Sequence, residues 1–263
     1  MTQTVQFDEA TARRLEVLYQ TEDAVRRRRA VLDALRLEPG ERVLDIGTGP
    51  GFLAYEMADP VGFTGEVIGI DTSDPMLRLA RIRCAEKPRV RFEPGDASRL
   101  PAPDAHFDAA VSVQVYEYIP EVEIALAELY RVLRPGGRGA IISTDWRSVV
   151  WSSRDDGRMQ RVLAAFAEHC PHQDLPRTLA PRLRAVGFEI AREQVVPQFN
   201  PICEPSTFSY HMIGLIRGFV RGRGGVTEKE ANDWADDLHR LAKQGRYFFC
   251  LNQYLFVVTK PAG

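Results

Sequence analysis

Residues 42–51 read RVLDIGTGPG, and the fold class follows from this decapeptide. Val43, Leu44 and Ile46 frame a single acid, Asp45, and three glycines follow at once, Gly47, Gly49 and Gly51, with Thr48 and Pro50 between them. An apolar run that breaks into glycines and reopens as a helix is a strand-turn-helix unit for a ligand needing close backbone approach. Glycine leaves no side chain in the way and accepts backbone angles that other residues avoid. A helix beginning near Gly51 or Phe52 would point its free N–H groups at that ligand.

A dinucleotide site would be written G-x-G-x-x-G. Here the third glycine comes one residue early and Phe52 stands in its place. Asp45 would repel a pyrophosphate, but it suits a ligand carrying an ammonium and a sulfonium, as S-adenosylmethionine (SAM) does. The bland alternative is a tight turn with no ligand, and the downstream pattern outweighs it. Residues 67–71, VIGID, form a short apolar strand ending in Asp71, 22 residues past Gly49. An acid at that distance is placed to accept hydrogen bonds from ribose hydroxyls. Ser73 or Asp74 caps the next helix, which Pro75 opens, and so leaves Asp71 free for the ligand.

Five segments together carry a family resemblance: VLDIGTGPG, VIGIDTSDPML, FEPGDASRLP, FDAAVSVQVYEYIPE and LRPGGRGAII, running from Val43 to about Trp146. The chain resembles the class I SAM-dependent methyltransferases, in the small-molecule group that includes the ubiquinone and menaquinone C-methyltransferases. The resemblance implies an α/β, Rossmann-like, seven-stranded sheet of order 3-2-1-4-5-7-6, with strand 7 antiparallel. It implies SAM as cofactor and S-adenosylhomocysteine as product. By position in those motifs, Gly47, Thr48, Gly49, Thr72 and Gln114 join Asp45 and Asp71 at the cofactor. Asp96 and Ala97 would face the adenine, Met76 and Leu77 would pack on its ring, and Tyr19 would reach the methionine end. Tyr116, Glu117 and Tyr118 stand where relatives place residues facing the methyl group. Many relatives carry histidine at the position of Tyr118.

A chain of 263 residues, 44% apolar, is long enough for one large α/β domain with an elaboration. A net charge of -2 gives no bulk attraction for a polyanion. Four cysteines without paired spacing (Cys84, Cys170, Cys203, Cys250) read as a reduced, cytoplasmic protein. The N-terminus lacks a signal-peptide pattern, and no apolar run approaches the roughly 20 residues of a membrane span.

Taken in order, residues 7–20 and 24–35 read as helices, with the four arginines at 26–29 on a solvated face. Strands are expected at 42–46, 66–71, 90–93, 107–113, 139–143 and 188–195, with a closing strand at 247–260. Helices are expected at 51–58, 75–85, 121–133, 158–169, 179–186, 208–220 and, capped by Thr227 with Glu230, 228–243. Residues 59–65 read as a loop. This divides the chain into a helical cap (1–38), a SAM-binding core (39–146) and a substrate half (147–263) with a helical lid at about 200–245. Ligands in such sheets bind at the C-terminal strand ends where strand order reverses.

Methyl transfer is an in-line displacement on an already reactive cofactor, so positioning the acceptor and excluding water dominate. Candidates for a base are Tyr116, Glu117, Tyr118, Asp145 and His211. Trp146, Tyr210 and Asn252 are candidates for the substrate wall. Residues 169–172, HCPH, are too tightly spaced for a tetrahedral metal set, and helix-end histidines account for them better. No N-P-P-Y, D-P-P-Y or Pro-Cys segment follows strand four and no basic stripe with interleaved aromatics appears, which leaves a small-molecule acceptor rather than nucleic acid. An arsenite-type methyltransferase, an NAD(P)-binding oxidoreductase and a SAM-binding partner protein without catalysis are the alternatives. The sequence leaves an oligomer open.

Overall fold

The decapeptide folds as strand, turn and helix, and a sheet grows on both sides of it. A computed structural model describes residues 9–263. The helices are α1 (Glu9–Leu18), α2 (Glu22–Leu35), α3 (Phe52–Val61), α4 (Asp74–Arg83), α5 (Val122–Val132), α6 (Asp156–Phe166), α7 (Pro176–Val186), α8 (Phe208–Val220) and α9 (Glu228–Lys243). The strands are β1 (Arg42–Ile46), β2 (Glu66–Asp71), β3 (Val90–Pro94), β4 (Phe107–Val113), β5 (Leu133–Trp151), β6 (Glu189–Asn200) and β7 (Phe249–Thr259). The part of the first expected helix before residue 9 lies outside the described residues.

The seven strands lie in the order β3-β2-β1-β4-β5-β7-β6, the order the family resemblance implies. β1 pairs in parallel with both β2 and β4, while β7 runs antiparallel to β5 and β6. Alternation along each strand feeds two cores. Val43, Val67 and Val111 pack against α2, α3 and α4, and Leu44, Ile68 and Ala110 pack against α5 and α7. A third core, built from Trp151, Trp234, Phe208 and Phe249, joins α6, α8 and α9 to the far ends of β5 and β7.

Several boundaries differ from expectation. β5 runs on past residue 143 to Trp151, with a register shift between Asp145 and Val150, because β7 is long enough to keep pairing it down to Phe249. β6 likewise runs on to Asn200, paired to Phe249. Asp59-Pro60 reads as a turn, yet α3 continues through it, because burying Met57 and Val61 holds the last turn in place.

Candidate active site

The glycine turn closes at the C-terminal end of β1, where the neighbours β2 and β4 lead away to opposite halves of the sheet. Gly47 sits at φ +67, and a Cβ there would lie 2.3 Å from Val115 Cγ2. Gly51 opens α3 at φ +78, where a Cβ would meet Ala80 at 2.9 Å. Only glycine fits a left-handed backbone pressed this closely. Asp71 ties the turn down: its Oδ2 accepts the Gly49 N–H at 2.9 Å and its Oδ1 accepts the Ser73 N–H at 2.8 Å. Ser73 does cap α4, as expected, but Asp71 is not free; it braces the turn as well as lining the cavity. Burial raises its pKa.

A cavity of about 450 Å³ lies over this turn. Gly47, Gly49, Asp71, Met76, Asp96 and Ala97 line it, with Thr72 and Gln114. Asp96 is held in an Asx turn, its Oδ1 accepting the Ser98 N–H at 2.7 Å. Thr48 and Asp45 lie behind the turn instead, in a pocket of about 50 Å³ shared with Arg27 and Arg28. Thr48 donates its hydroxyl to Asp45 Oδ2 at 2.7 Å, and burial pushes the Asp45 pKa up to about 7.

A second chamber of about 420 Å³ adjoins the first and shares three wall residues with it, Tyr19, Gln114 and Tyr118. Its remaining lining is mainly apolar, with Trp146, Phe166, His169, Met212 and Phe219 prominent. Helix α8 presents Phe208, Met212, Leu215 and Phe219 to it, one stripe at helical spacing.

Gln114 stands between the two chambers. It is a non-glycine residue at φ +56, and this left-handed turn carries its side chain out of the strand. Its partners are protein groups. Arg27 donates to Oε1, and Nε2 donates to Thr144 Oγ1 at 2.9 Å. Gln253 donates to the same hydroxyl at 3.0 Å, and Gln198 donates to Gln253 at 2.9 Å, so the polar row crosses β5, β7 and β6. Only half of the arginine run is a solvated face: Arg26 and Arg29 are exposed, but Arg27 and Arg28 are buried and Arg28 pairs with Glu56 at 2.8 Å.

Six expected acceptor-side residues line neither chamber. Tyr116 is buried in the core against α5. Glu117 is fully buried, accepting the Ser143 hydroxyl at 3.1 Å and the Thr144 N–H at 3.2 Å. Asp145 gives both carboxylate oxygens to Arg177, at 3.0 and 3.2 Å, so it latches β5 to α7. Tyr210 and His211 lie off the cavity stripe of α8; His211 bonds the Pro205 carbonyl at 2.7 Å and Tyr210 is exposed. Asn252 pairs across β7 with Pro197 and lines neither chamber. Tyr118 and Trp146 do reach the second chamber. His169, which the sequence suggested was only a helix-end residue, lines it as well. Its one sequence signal was proximity to the apolar end of α6.

Comparison with known proteins agrees with this geometry. A family model described as a methyltransferase domain matches residues 43–137. An uncharacterized 37.1 kDa protein in transposon TN4556 of Streptomyces fradiae is 42% identical over 245 residues, covering 90% of this chain and 68% of that protein. The 2-phytyl-1,4-naphtoquinone methyltransferase of Synechococcus elongatus is 42% identical over 108 residues, covering 40% of this chain and 46% of that protein, so the match spans about half of the relative. Among solved structures, Haemonchus contortus phosphoethanolamine N-methyltransferase 2 in complex with S-adenosyl-L-methionine superposes with a TM-score of 0.63 at 19% identity, covering 98% of this chain and 58% of that one, a likeness of fold. The chain belongs to the class I SAM-dependent methyltransferases. No helix among the described residues is long and apolar enough to cross a membrane.

Proposed function

We propose that this chain moves a methyl group from SAM, held over the glycine turn, to a small, flat and partly apolar molecule in the adjoining chamber. The observation that carries the reading is the wall of Tyr19, Gln114 and Tyr118 common to both cavities, since transfer requires donor and acceptor to meet across one opening. The cradle fits the cofactor. Gly47 and Gly49 line it without a side chain, and Arg27 buries an Nε–H without a partner among the described residues.

Asp71 would accept from the ribose hydroxyls with its remaining lone pairs, at the rim where Thr72 lies. Asp96, Ala97 and Met76 would border the adenine. Arg27 and Asp45, which both line the small pocket behind the turn, would match the carboxylate and ammonium of the amino-acid tail, with Tyr19, Gly47, Thr48 and Gly49 lining the same pocket and Gln114 bonded to Arg27. The bound cofactor supplies an electrophilic methyl on a sulfonium. The chain's own work is positioning and water exclusion, which remove roughly 7–11 kcal/mol from such a barrier when the geometry is good. Trp146, Phe166, Met212 and Phe219 keep the acceptor chamber dry, and Tyr118 borders the transfer path.

The acceptor reading rests on that apolar aromatic lining. An arsenite acceptor is disfavoured because Cys84 and Cys170 are buried with raised thiol pKa values, and no cysteine lines either chamber. A nicotinamide cofactor is disfavoured by Phe52, whose ring packs under the Arg83 guanidinium at 3.4 Å where a dinucleotide site has its third glycine. Calorimetric titrations with SAM and with NADH separate the two: tight SAM binding with no NADH heat is expected, and the reverse would end the methyltransferase reading. Retained SAM binding with no turnover across a broad panel of small aromatic acceptors would favour a non-catalytic SAM-binding partner instead.

A further inference from the structure

Two aromatic side chains in contact each bury a polar atom without a partner among the described residues, the Trp146 indole Nε1 and the His169 Nε2. The rings that carry them meet edge to face at 4.7 Å. Both line the acceptor chamber, and both line a small annex of about 30 Å³ that opens between α6, α8 and β5. An annex of that size holds one water-sized group.

Their chemistry is fixed. The Trp146 Nε1–H only donates. His169 Nδ1 lies 2.6 Å from the Phe166 carbonyl oxygen, which only accepts, so Nδ1 carries the proton and Nε2 presents a lone pair. Burial also pushes the His169 pKa down to about 4, so the ring is neutral at pH 7. Phe166 stacks on the imidazole at 4.0 Å and 7°, which prevents the ring from turning away. A donor and an acceptor held rigidly together, each costly to leave unpaired in an apolar wall, complement a group that both accepts and donates. Of the neutral groups that do both, a hydroxyl is the smallest, which suits an annex of about 30 Å³. A ketone or ether can satisfy only Trp146, and a bare hydrocarbon neither.

We propose that Trp146 and His169 form a hydroxyl-reading subsite, so that the methyl acceptor of this protein is a flat apolar molecule bearing a phenol or alcohol. The hydroxyl oxygen accepts from Trp146 Nε1 while its proton is donated to His169 Nε2. This rests on the methyltransferase reading for the adjoining cavity and adds the chemical class of the acceptor.

The probes are 2-naphthol, naphthalene and 2-methoxynaphthalene, titrated into the protein saturated with S-adenosylhomocysteine. One hydrogen bond to a site that would otherwise stay unpaired is worth about 1.4 kcal/mol, a factor of about ten. The expected result is therefore about tenfold tighter binding of 2-naphthol than of 2-methoxynaphthalene, which makes one bond of the two, and tighter binding still than of naphthalene, which makes neither. The preference over 2-methoxynaphthalene should vanish in His169→Phe, and the preference over naphthalene should fall about tenfold in each of Trp146→Phe and His169→Phe, with SAM affinity unchanged in each. The chain has five histidines, so the His169 nitrogen signals are assignable by their loss in the variant. The Nε2 resonance should move with 2-naphthol and stay put with the other two. Equal affinity for all three probes, a preference that neither substitution lowers, or an unmoved Nε2 resonance would overturn the subsite. If the unsubstituted protein bound no SAM, the methyltransferase reading itself would fall, which is a separate and distinguishable failure.

Discussion

The carboxylate of Asp71 accepts the backbone N–H of Gly49 at 2.9 Å, across 22 residues of chain, and so welds the end of β2 to the turn after β1. The same side chain lines the larger cavity. Ligand binding and turn geometry thus share one group. Asp71→Ala should strip acceptors from two backbone N–H groups, those of Gly49 and Ser73, at about 1–3 kcal/mol each. SAM affinity measured by calorimetry should fall by a hundredfold or so, and the melting temperature should fall with it. Asp71→Asn, which keeps one acceptor, should lie between.

Gly47 faces Val115 so closely that any side chain must displace it. Gly47→Ala pays a left-handed penalty of about 1–2 kcal/mol and an overpacking penalty of about 1–3 kcal/mol. Chemical denaturation should show the loss. In a Val115→Ala background part of it should return, because the two effects share one contact. Additive losses would mean that the contact is not the cause.

Glu117 is buried with a pKa pushed up to about 7 by desolvation, from the ordinary 4.5. A carboxyl whose folded pKa is raised stabilises the fold below its unfolded pKa, and that stability is lost as pH rises through 7. The shift corresponds to about 3 kcal/mol at most. Asp45 acts in the same direction. Denaturant midpoints should therefore fall between pH 5 and pH 8, and Glu117→Gln should flatten that fall. A variant as pH-sensitive as the unsubstituted protein would show that another group is responsible.

Asp145 was a candidate base on sequence, but Arg177 occupies both of its oxygens. Arg177 is half exposed, so solvent screens the pair and its contribution to stability is small. Asp145→Asn should lower the melting temperature by a few degrees and leave SAM affinity within about twofold. A collapse of turnover without a loss of stability would return Asp145 to the chemistry.

Tyr210 and His211 offer a control on α8. Their side chains lie away from the stripe of α8 that lines the acceptor chamber. Tyr210→Phe and His211→Ala should each leave SAM binding and turnover within about twofold, surface substitutions away from packed features being nearly neutral. Met212→Ala, on the lining stripe, should weaken acceptor binding.

The sheet was legible before any coordinates, because the signals that specify it are local. Period-two apolar runs, acids at strand ends and a glycine turn each lie within a few residues, and the family order of strands follows from their joint presence. Boundaries were misread where partners distant in sequence decide them. β5 extends to Trp151 only because β7 is there to pair with it, and Pro60 stays helical only because Met57 and Val61 are buried. That Gly47, Gly49, Asp71, Asp96 and Ala97 gather around one cavity was similarly readable, since they come from turns attached to their own strands. The acceptor side was not. One residue of slip along a strand, or 100° around a helix, turns a side chain from chamber to core, and no local pattern reports which way Tyr116, Asp145 or His211 will face. Hence this sequence by itself determined a glycine cradle at the reversal of a parallel sheet. Only the tertiary structure decided that Arg27 is buried behind it and that Trp146 meets His169, because those groups are brought together by packing among elements far apart in the chain.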